Sequence, residues 1–198
     1  MTRWEPDARD RLERAALELF AEQGFTQTTV PQITKRAGLT TRSFFRHYAD
    51  KREVLFRGDD EIPATIATLM ASRPPGLSLM DLIVWGDETV ARNVLGHQRD
   101  YLKARRAIIE TDDGLKEREL RKQNALANAI AQALSDQGLN PLTATLAGKI
   151  AITISSTAVE RWLEAADSRP LVDYVTDALK ALDLLLTDKT PWRDSRAT

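Results

Sequence analysis

Basic side chains are concentrated in one part of this 198-residue sequence, between residues 25 and 57. That segment holds seven lysines and arginines against two acidic residues, whereas the whole chain has a net charge of -1. The rest of the chain is therefore acidic on balance. A basic segment in an acidic chain is typical of a surface that binds a polyanion such as nucleic acid, although a solvated run of charges has the same composition.

Few other residues of the chain have side chains suited to catalysis or to binding a metal. The chain has no cysteine, and its two histidines, His47 and His97, are far apart in sequence. The lack of cysteine excludes disulfides, thiolate zinc sites, iron–sulfur clusters and a cysteine nucleophile. Two isolated imidazoles leave little for a metal site or a catalytic triad. We therefore expect no enzyme activity, no metal and no cofactor.

The overall composition is that of a soluble globular protein, with 42% hydrophobic and 29% charged residues and a mean hydropathy of -0.36. The longest stretch without a charged side chain is 12 residues, which is shorter than the roughly 20 residues of a membrane helix. The first residues also lack the apolar core of a signal peptide. We expect a cytoplasmic protein with no membrane partner.

The apolar spacing predicts helices throughout the chain. In the first helix, which starts near Asp7, Leu12, Ala16 and Leu19 form one helical stripe, and Gly24 ends it. Thr29 and the glutamine three residues later have capping-box spacing, so they open a short second helix over roughly residues 30–37.

A third short helix follows after a tight glycine turn at Gly38, with Thr40 as its cap and its end near Ala49. Phe44 and Tyr48 share one face of this helix and are expected to pack against the first two helices. Two short helices joined in this way, the second rich in threonine, arginine and aromatic residues, are typical of a helix-turn-helix.

The later elements are also helical. Asp50 opens a fourth helix, in which Gly58 and Pro63 predict a kink or a break and a hypothetical hinge. Further helices are predicted after Ser78 and over residues 99–110, 113–135, 141–166 and 171–186. Isoleucines alternate as in a strand over residues 150–154, but the helical i, i+4 spacing and the length of the segment favour a helix. The predicted fold class is all-α, with about nine helices.

The face of the third helix opposite Phe44 and Tyr48 suits a major groove. Arg42 can donate two hydrogen bonds to guanine, and Phe45 can contact a thymine methyl group. Later basic residues are better placed for phosphates, and threonines at the start of the second helix offer hydroxyl groups. The residues predicted to contact DNA are Thr28, Thr29, Thr40, Thr41, Arg42, Phe45, Arg46, His47 and Lys51.

The same segment resembles the N-terminal signature of the TetR family of transcriptional regulators. The resemblance rests on GF at 24–25, TTV at 28–30, Ile33, AGLT at 37–40, FFRHY at 44–48 and DK at 50–51, and it covers roughly residues 9–57. Two positions depart from the family pattern. Phe45 stands where the family often has tyrosine, which removes a hydroxyl contact to phosphate, and Thr34 replaces a frequent alanine.

The resemblance implies a DNA-binding domain over residues 1–57, an effector-binding and dimerisation domain over 58–190, and a polar tail over 191–198. It also implies a homodimer whose third helices enter the major groove of double-stranded DNA at an inverted repeat. A small effector bound by the C-terminal domain would lower the affinity for DNA. We therefore predict a transcriptional regulator of the repressor type.

The sequence indicates the effector site less clearly than the DNA-contacting residues. Apolar residues at helical spacing predict either a pocket or a filled core. The pocket candidates are Met70, Ile83, Trp85, Leu102, Arg106, Ile109, Leu126 and Ile130. Arg105 and Arg106 are candidates for holding an acidic group. The C-terminal sequence also resembles that of TetR relatives thought to bind acyl-CoA-like ligands, so the expected effector is an apolar or acyl-CoA-like molecule.

The last two helices carry more apolar surface than a small domain needs, which predicts a four-helix interface with a second copy. A monomer with a wider core is the alternative. The interface candidates are Leu146, Ile150, Ile154, Val159, Leu171, Val175, Ala178, Leu182 and Leu186. Two other functions remain open: a helical enzyme or carrier with a vestigial N-terminal domain, and a non-specific architectural DNA binder.

Overall fold

The computed structural model describes residues 8–56 and 62–187, with the side chains of residues 62 and 63 left aside. Within these ranges the regular structure is helical. The α-helices are α1 (Ala8–Gln23), α2 (Val30–Ala37), α3 (Thr41–Phe45), α4 (Ile62–Ala71), α5 (Leu79–Val90), α6 (Arg99–Ile109), α7 (Asp113–Ser135), α8 (Pro141–Glu164) and α9 (Leu171–Thr187). A 3-10 turn over Glu53–Phe56 and a π-helical segment over Ala91–Leu95 complete them.

The all-α prediction is confirmed, and most predicted boundaries agree with the helices within two residues. The third helix is shorter than expected, since it ends at Phe45 rather than near Ala49. Asp50 caps a 3-10 turn, because its Oδ1 accepts from the backbone N–H of Arg52 (2.7 Å) and Glu53 (3.3 Å). The predicted hinge residue Gly58 and the tail over 191–198 lie outside the described residues.

The chain divides into two compact units. Unit 1 comprises the described residues of Met1–Arg73 and Gln98–Lys149, and unit 2 those of Pro74–His97 and Ile150–Thr198. The first three helices thus share a unit with α4, α6 and α7. The domain boundary near residue 57 follows the expected functions of the segments and stays a prediction.

Unit 1 has one apolar core that joins the helix-turn-helix segment to α6 and α7. Large side chains from α1, α2, α3, the 3-10 turn, α6 and α7 meet in it, with Leu12, Ile33, Phe44, Phe56, Ile109 and Leu115 among them. Helix α8 packs closely against α7 at Gly148. A Cβ there would lie 2.3 Å from the carbonyl oxygen of Ala127, so a side chain would force the two helices apart.

Unit 2 contains α5, the π-helical segment, the second part of α8 and α9. Its buried apolar residues are Ile83, Ala91, Ala151, Ile154, Ala158, Trp162, Leu163, Leu171, Tyr174 and Val175. The loop between α8 and α9 is fixed by the Trp162 indole, which donates to the carbonyl of Arg169 (3.2 Å), and by the Tyr174 hydroxyl, which donates to Asp167 (2.7 Å).

Helix α8 is long and apolar enough to cross a membrane by length and composition alone. The core helix of a soluble protein has the same properties. One face of α8 is buried in the protein, including Ala144, Ala147 and Ala158. The expectation that no membrane is involved stays a prediction.

Candidate nucleic-acid interface

Helix α2 begins at the capping box that the sequence predicts. The Thr29 hydroxyl accepts from the backbone N–H of Gln32 (3.4 Å), and the Gln32 side chain accepts from the backbone N–H of Thr29 (2.8 Å). These two bonds satisfy N–H groups that a helix start leaves without partners. Gln23 on α1 donates to the same Gln32 oxygen (3.2 Å), which ties the start of α2 to the end of α1.

The turn between α2 and α3 depends on Gly38. Its φ of 65° lies in the left-handed region, and its N–H and that of Leu39 donate to carbonyls in the last turn of α2. The Arg11 guanidinium, on α1, donates to the carbonyl of Ala37 at 2.6 Å. The backbone conformation therefore favours glycine, and a Cβ at position 38 would lie 2.8 Å from Arg11 Nη2, so the end of the Arg11 side chain would have to move.

Helix α3 hides its aromatic face, as predicted. Thr40 caps the helix by accepting from the backbone N–H of Ser43 (3.1 Å). The side chain of Phe44 is 0% exposed and that of Tyr48 is 4% exposed, and both belong to the core of unit 1. Burial of these rings fixes which face of α3 remains on the surface.

The surface face of α3 carries the predicted DNA-contacting residues. The exposed residues are Thr40, Thr41, Arg42, Phe45 and Arg46. Phe45 is 55% exposed, so its ring is accessible to a binding partner. His47 is half-buried beside Arg46, with 3.5 Å between His47 Nε2 and Arg46 Nη2. Contact of these residues with DNA stays a prediction.

Thr28 requires a correction, because its hydroxyl is inside the protein. The residue is 0% exposed. Its Oγ1 lies 2.8 Å from the carbonyl oxygen of Gly24 and 3.3 Å from that of Leu19, and it accepts from Gln23. The prediction that Thr28 offers a hydroxyl to phosphate is therefore wrong. The exposed Thr29 forms the capping box at the start of α2.

Lys51 also has a structural role that the sequence prediction did not include. Its ammonium donates to the backbone carbonyls of Phe25 (2.7 Å), Thr26 (3.2 Å) and Thr28 (2.8 Å) and lies 4.4 Å from the centroid of the Phe25 ring. An ammonium has three N–H donors, so these contacts occupy all of them. The prediction of a phosphate contact for Lys51 is wrong for this conformation, in which the residue fixes the loop between α1 and α2. Burial lowers its pKa.

Arg36 also makes contacts within the protein, in this case with acidic residues of α1. Its guanidinium contacts Glu22 through two hydrogen bonds (2.8 and 2.7 Å) and Glu18 at 3.3 Å. The hydrogen bond from Arg36 lowers the pKa of Glu22, and the same contact raises that of Arg36. Arg36 therefore adds little net positive charge for a polyanion, whereas Arg42 and Arg46 are exposed.

A buried polar pair lies behind α3. The Tyr48 hydroxyl donates to the Glu13 carboxylate (3.1 Å), which is 8% exposed on α1. Burial and the nearby Glu13 charge raise the pKa of Tyr48. The signal for this pair in the sequence is an acidic residue directly after Leu12 on the apolar face of α1.

The 3-10 turn is held by two arginines from α6 and α7. Arg105 donates to the carbonyl of Leu55 (2.6 Å), and Arg118 pairs with Glu53 (3.0 Å). Both guanidinium groups also lie over the Phe56 ring, at 5.0 Å and 5.7 Å from its centroid. This contact connects the helix-turn-helix segment to α6 and α7 within unit 1.

Arg105, one of the two arginines predicted to hold an acidic effector group, is thus engaged elsewhere. Arg105 pairs with Glu119 in addition to Leu55, and Arg106 lies 3.9 Å from Glu110. Ile109 is buried in the core of unit 1 together with helix-turn-helix residues, and its part in a pocket stays a prediction.

The remaining pocket candidates are divided between the two units. Ile83 and Trp85 belong to unit 2, whereas Met70, Leu102, Arg106, Leu126 and Ile130 belong to unit 1. Met70 and Ile83 are buried, and the others are partly buried. A pocket formed by these residues stays a prediction.

The predicted dimer residues fall into two groups. Ile154, Leu171 and Val175 are at most 3% exposed and pack inside the chain, so their assignment to an interface is wrong. Leu146 and Leu186 are exposed, and Ile150, Val159, Ala178 and Leu182 are partly buried. The sequence pattern could not separate core from surface on helices that carry apolar residues on several faces.

Comparisons with known proteins agree with this geometry. Residues 13–57 match the family model "Bacterial regulatory proteins, tetR family". The transcriptional regulator TcmR of Streptomyces glaucescens is 31% identical over 136 residues, which cover 64% of this chain and 58% of TcmR. The transcriptional repressor AcnR of Corynebacterium diphtheriae is 25% identical over 183 residues, which cover 89% of this chain and 88% of AcnR.

A solved structure extends the likeness to the fold of the whole chain. The TetR-family repressor FadR of Thermus thermophilus, crystallised with lauroyl-CoA, has a TM-score of 0.54 and 24% identity, covering 96% of this chain and 98% of FadR. Residues 13–57 thus carry the N-terminal domain of the TetR family of bacterial regulatory proteins, and the fold of the chain is similar to that of FadR.

Proposed function

We propose that this protein is a sequence-specific DNA-binding transcriptional regulator of the repressor type. The observation that carries the proposal is the division of α3 into two faces. Phe44 is buried in the core, whereas Thr41, Arg42 and Phe45 remain on the surface, as does Arg46 directly after the helix. The relatives TcmR and AcnR are both named as transcriptional regulators, which supports a regulator rather than an enzyme. A bacterial transcriptional regulator acts in the cytoplasm, so we propose that location for this protein.

Each exposed residue of α3 has a specific part in the proposed readout. Arg42, in the first turn, has the donors for a bidentate contact with guanine, and Phe45 offers an apolar edge to a thymine methyl group. Arg46, just after the helix, is suited to a phosphate. Arg11 and Lys51 act indirectly, because they hold α2 and the loop before it in place.

A second copy of the chain completes the proposed DNA-binding unit. A dimer presents two α3 helices to half-sites about 34–36 Å apart, or a multiple of that distance, and therefore reads an inverted repeat. Exposed leucines support self-association: Leu142 and Leu146 on α8, and Leu184, Leu185 and Leu186 at the end of α9, are 53–79% exposed. Monomeric proteins rarely leave such groups of large apolar side chains in water.

A small effector is proposed to control release from DNA. An effector acts by binding one conformation of the dimer more tightly than another, so the bound state must separate the α3 helices from their half-sites. The structural relative FadR of T. thermophilus was crystallised with lauroyl-CoA. In this chain Arg105 is bound to Leu55 and Glu119, which gives no support to an acidic effector group at that residue.

The function is tested by selecting bound fragments from random double-stranded DNA. The proposal predicts enrichment of one inverted repeat and its recovery in competition against unrelated duplexes. Arg42→Ala should lose discrimination at one base pair of each half-site, by about 1–3 kcal/mol. Equal binding of all duplexes would identify a non-specific DNA binder, and no binding of any duplex would overturn the proposal.

A further inference from the structure

Unit 2 contains a buried carboxylate in which only one of the two oxygens has a hydrogen-bond partner. Asp87, on α5, is 8% exposed and is the one charged residue buried in the described part of unit 2. Its Oδ1 accepts from the Ser155 hydroxyl on α8 at 3.0 Å. Its Oδ2 is buried as well and has no hydrogen-bond partner.

The buried residues one turn away from this pair on the same helices are apolar. Ile83 and Ala91 lie one turn before and one turn after Asp87 on α5 and its continuation, and both are buried. Ala151 and Ala158 have the same relation to Ser155 on α8. Burial of a carboxylate oxygen in such surroundings without a hydrogen-bond donor lowers the free energy of unfolding by about 1–3 kcal/mol or more. Buried polar atoms of this kind are rare in native proteins and need an explanation.

The backbone next to Asp87 is also irregular. Helix α5 ends at Val90 and continues as the π-helical segment Ala91–Leu95, in which the N–H of Gly96 donates to the carbonyl of Ala91 at 2.9 Å. Such π-helical turns within a helix frequently occur at functional sites. Helix α9 packs against both α5 and this segment, so the irregular turn lies inside unit 2.

We infer that Asp87 and Ser155 form the polar end of a ligand site in unit 2, which takes an apolar molecule carrying a protonated amine. The inference rests on the proposed function, since the ligand would be the effector of the regulator. The ammonium group donates to Asp87 Oδ2, Ser155 continues to donate to Oδ1, and the apolar part of the ligand lies among the buried aliphatic side chains.

The charge of the ligand follows from the charge of the site. A neutral alcohol would donate a hydrogen bond to Oδ2 but would leave the buried negative charge uncompensated. An ammonium donates the hydrogen bond and also compensates the charge. A carboxylate ligand would be repelled. Burial raises the pKa of Asp87 to about 7, against the effect of the Ser155 hydrogen bond. A cation beside Oδ2 would favour the ionised form again.

Calorimetric titration of the full-length protein with three matched probes tests the inference. The probes are 1-naphthylmethylamine, the neutral 1-naphthalenemethanol and the anionic 1-naphthylacetate, each titrated near pH 8 without DNA. The amine should bind at least about tenfold more tightly than the alcohol, because its hydrogen bond to the carboxylate is charge-assisted. The acetate should bind more weakly than both.

Two variants separate the site from general effects. Asp87→Asn should remove the preference for the amine, whereas Glu88→Gln, which removes the neighbouring carboxylate that pairs with Arg92, should keep it. Thermal unfolding of each variant checks that the fold is intact. Equal affinity of the wild type for amine and alcohol, or an unchanged preference in Asp87→Asn, would overturn the inference.

The experiment distinguishes this inference from the proposed function. Probe binding is measured in the absence of DNA, and binding to the selected inverted repeat is measured in the absence of the probe. A protein that binds the repeat but does not prefer the amine contradicts the inference alone. A protein that prefers the amine but binds no duplex contradicts the proposed function alone.

Discussion

The guanidinium of Arg11 donates to the backbone carbonyl of Ala37 at 2.6 Å, and this bond joins α1 to the last residue of α2. The contact lies directly before the Gly38 turn, so it sets the position from which α3 starts. A basic residue of α1 thus acts on the protein's own backbone, and its charge is not counted among those proposed to contact DNA.

Replacement of Arg11 tests this role. Arg11→Met keeps the aliphatic part of the side chain but removes the donor, so it should lower the free energy of unfolding by about 1–3 kcal/mol. Urea denaturation measures the change. Arg14→Met, at an exposed position of the same helix, should change stability by less than about 0.5 kcal/mol. Equal effects of the two substitutions would show that the bond to Ala37 does not matter.

Lys51 and Arg46 should differ in how they affect DNA binding. Lys51→Met removes three hydrogen bonds to carbonyls and should destabilise the protein by about 1–3 kcal/mol, with little change in the salt dependence of DNA affinity. Arg46→Met should leave stability nearly unchanged and reduce the salt slope by about one. Titrations of DNA at several salt concentrations, with urea unfolding of both variants, measure these effects. A reduced slope in Lys51→Met would restore its predicted phosphate contact.

The sequence predicts local structure well where neighbouring residues determine it. The Thr29 and Gln32 capping box and the Gly38 turn depend on contacts within a few residues, and both are found as expected. The roles of Arg11 and Lys51 depend on backbone carbonyls 26 and 23 or more residues away in sequence. Their side-chain types fit a phosphate contact equally well, so only the tertiary structure separates the two roles.

The same reason explains the errors in the C-terminal part. Helix α9 carries apolar residues on several faces, and their spacing did not show that Leu171 and Val175 face the core while Leu184 and Leu186 face outward. Asp87 had no signal in the sequence, because its burial results from packing between α5, α8 and α9.

Asp87 should make stability depend on pH. Its pKa is raised from an ordinary 3.8 to about 7 in the folded protein, so the folded state holds a proton that the unfolded state has lost between these values. The contribution of this group to the free energy of unfolding is therefore largest below about pH 4 and is lost as the pH rises to about 7.

Asp87→Asn removes this titration. The variant should be more stable than the wild type at pH 8, by on the order of 2–4 kcal/mol, and the difference should shrink towards pH 5. Thermal unfolding at both pH values, with Glu88→Gln as the control, measures it. A stability difference that does not change with pH would contradict the burial of an ionisable carboxyl group.

The exposed leucines at the end of α9 should support self-association. The double substitution of Leu184→Glu and Leu186→Glu places charges on the proposed interface and should convert a dimer to a monomer in sedimentation velocity. Leu120→Glu alters a leucine that is 65% exposed on α7 and should leave the dimer intact. If the double variant remains dimeric, the interface does not include this end of α9.

The most direct test concerns Arg42 on the exposed face of α3. Affinities of the wild type, Arg42→Ala and the control Arg121→Ala on α7 are measured for the selected inverted repeat and for repeats with a single base pair changed in each half-site. We predict that Arg42→Ala alone loses discrimination at one position, by about 1–3 kcal/mol, while keeping its thermal stability. If Arg42→Ala discriminates among the repeats as well as the wild type does, α3 does not read bases through this residue.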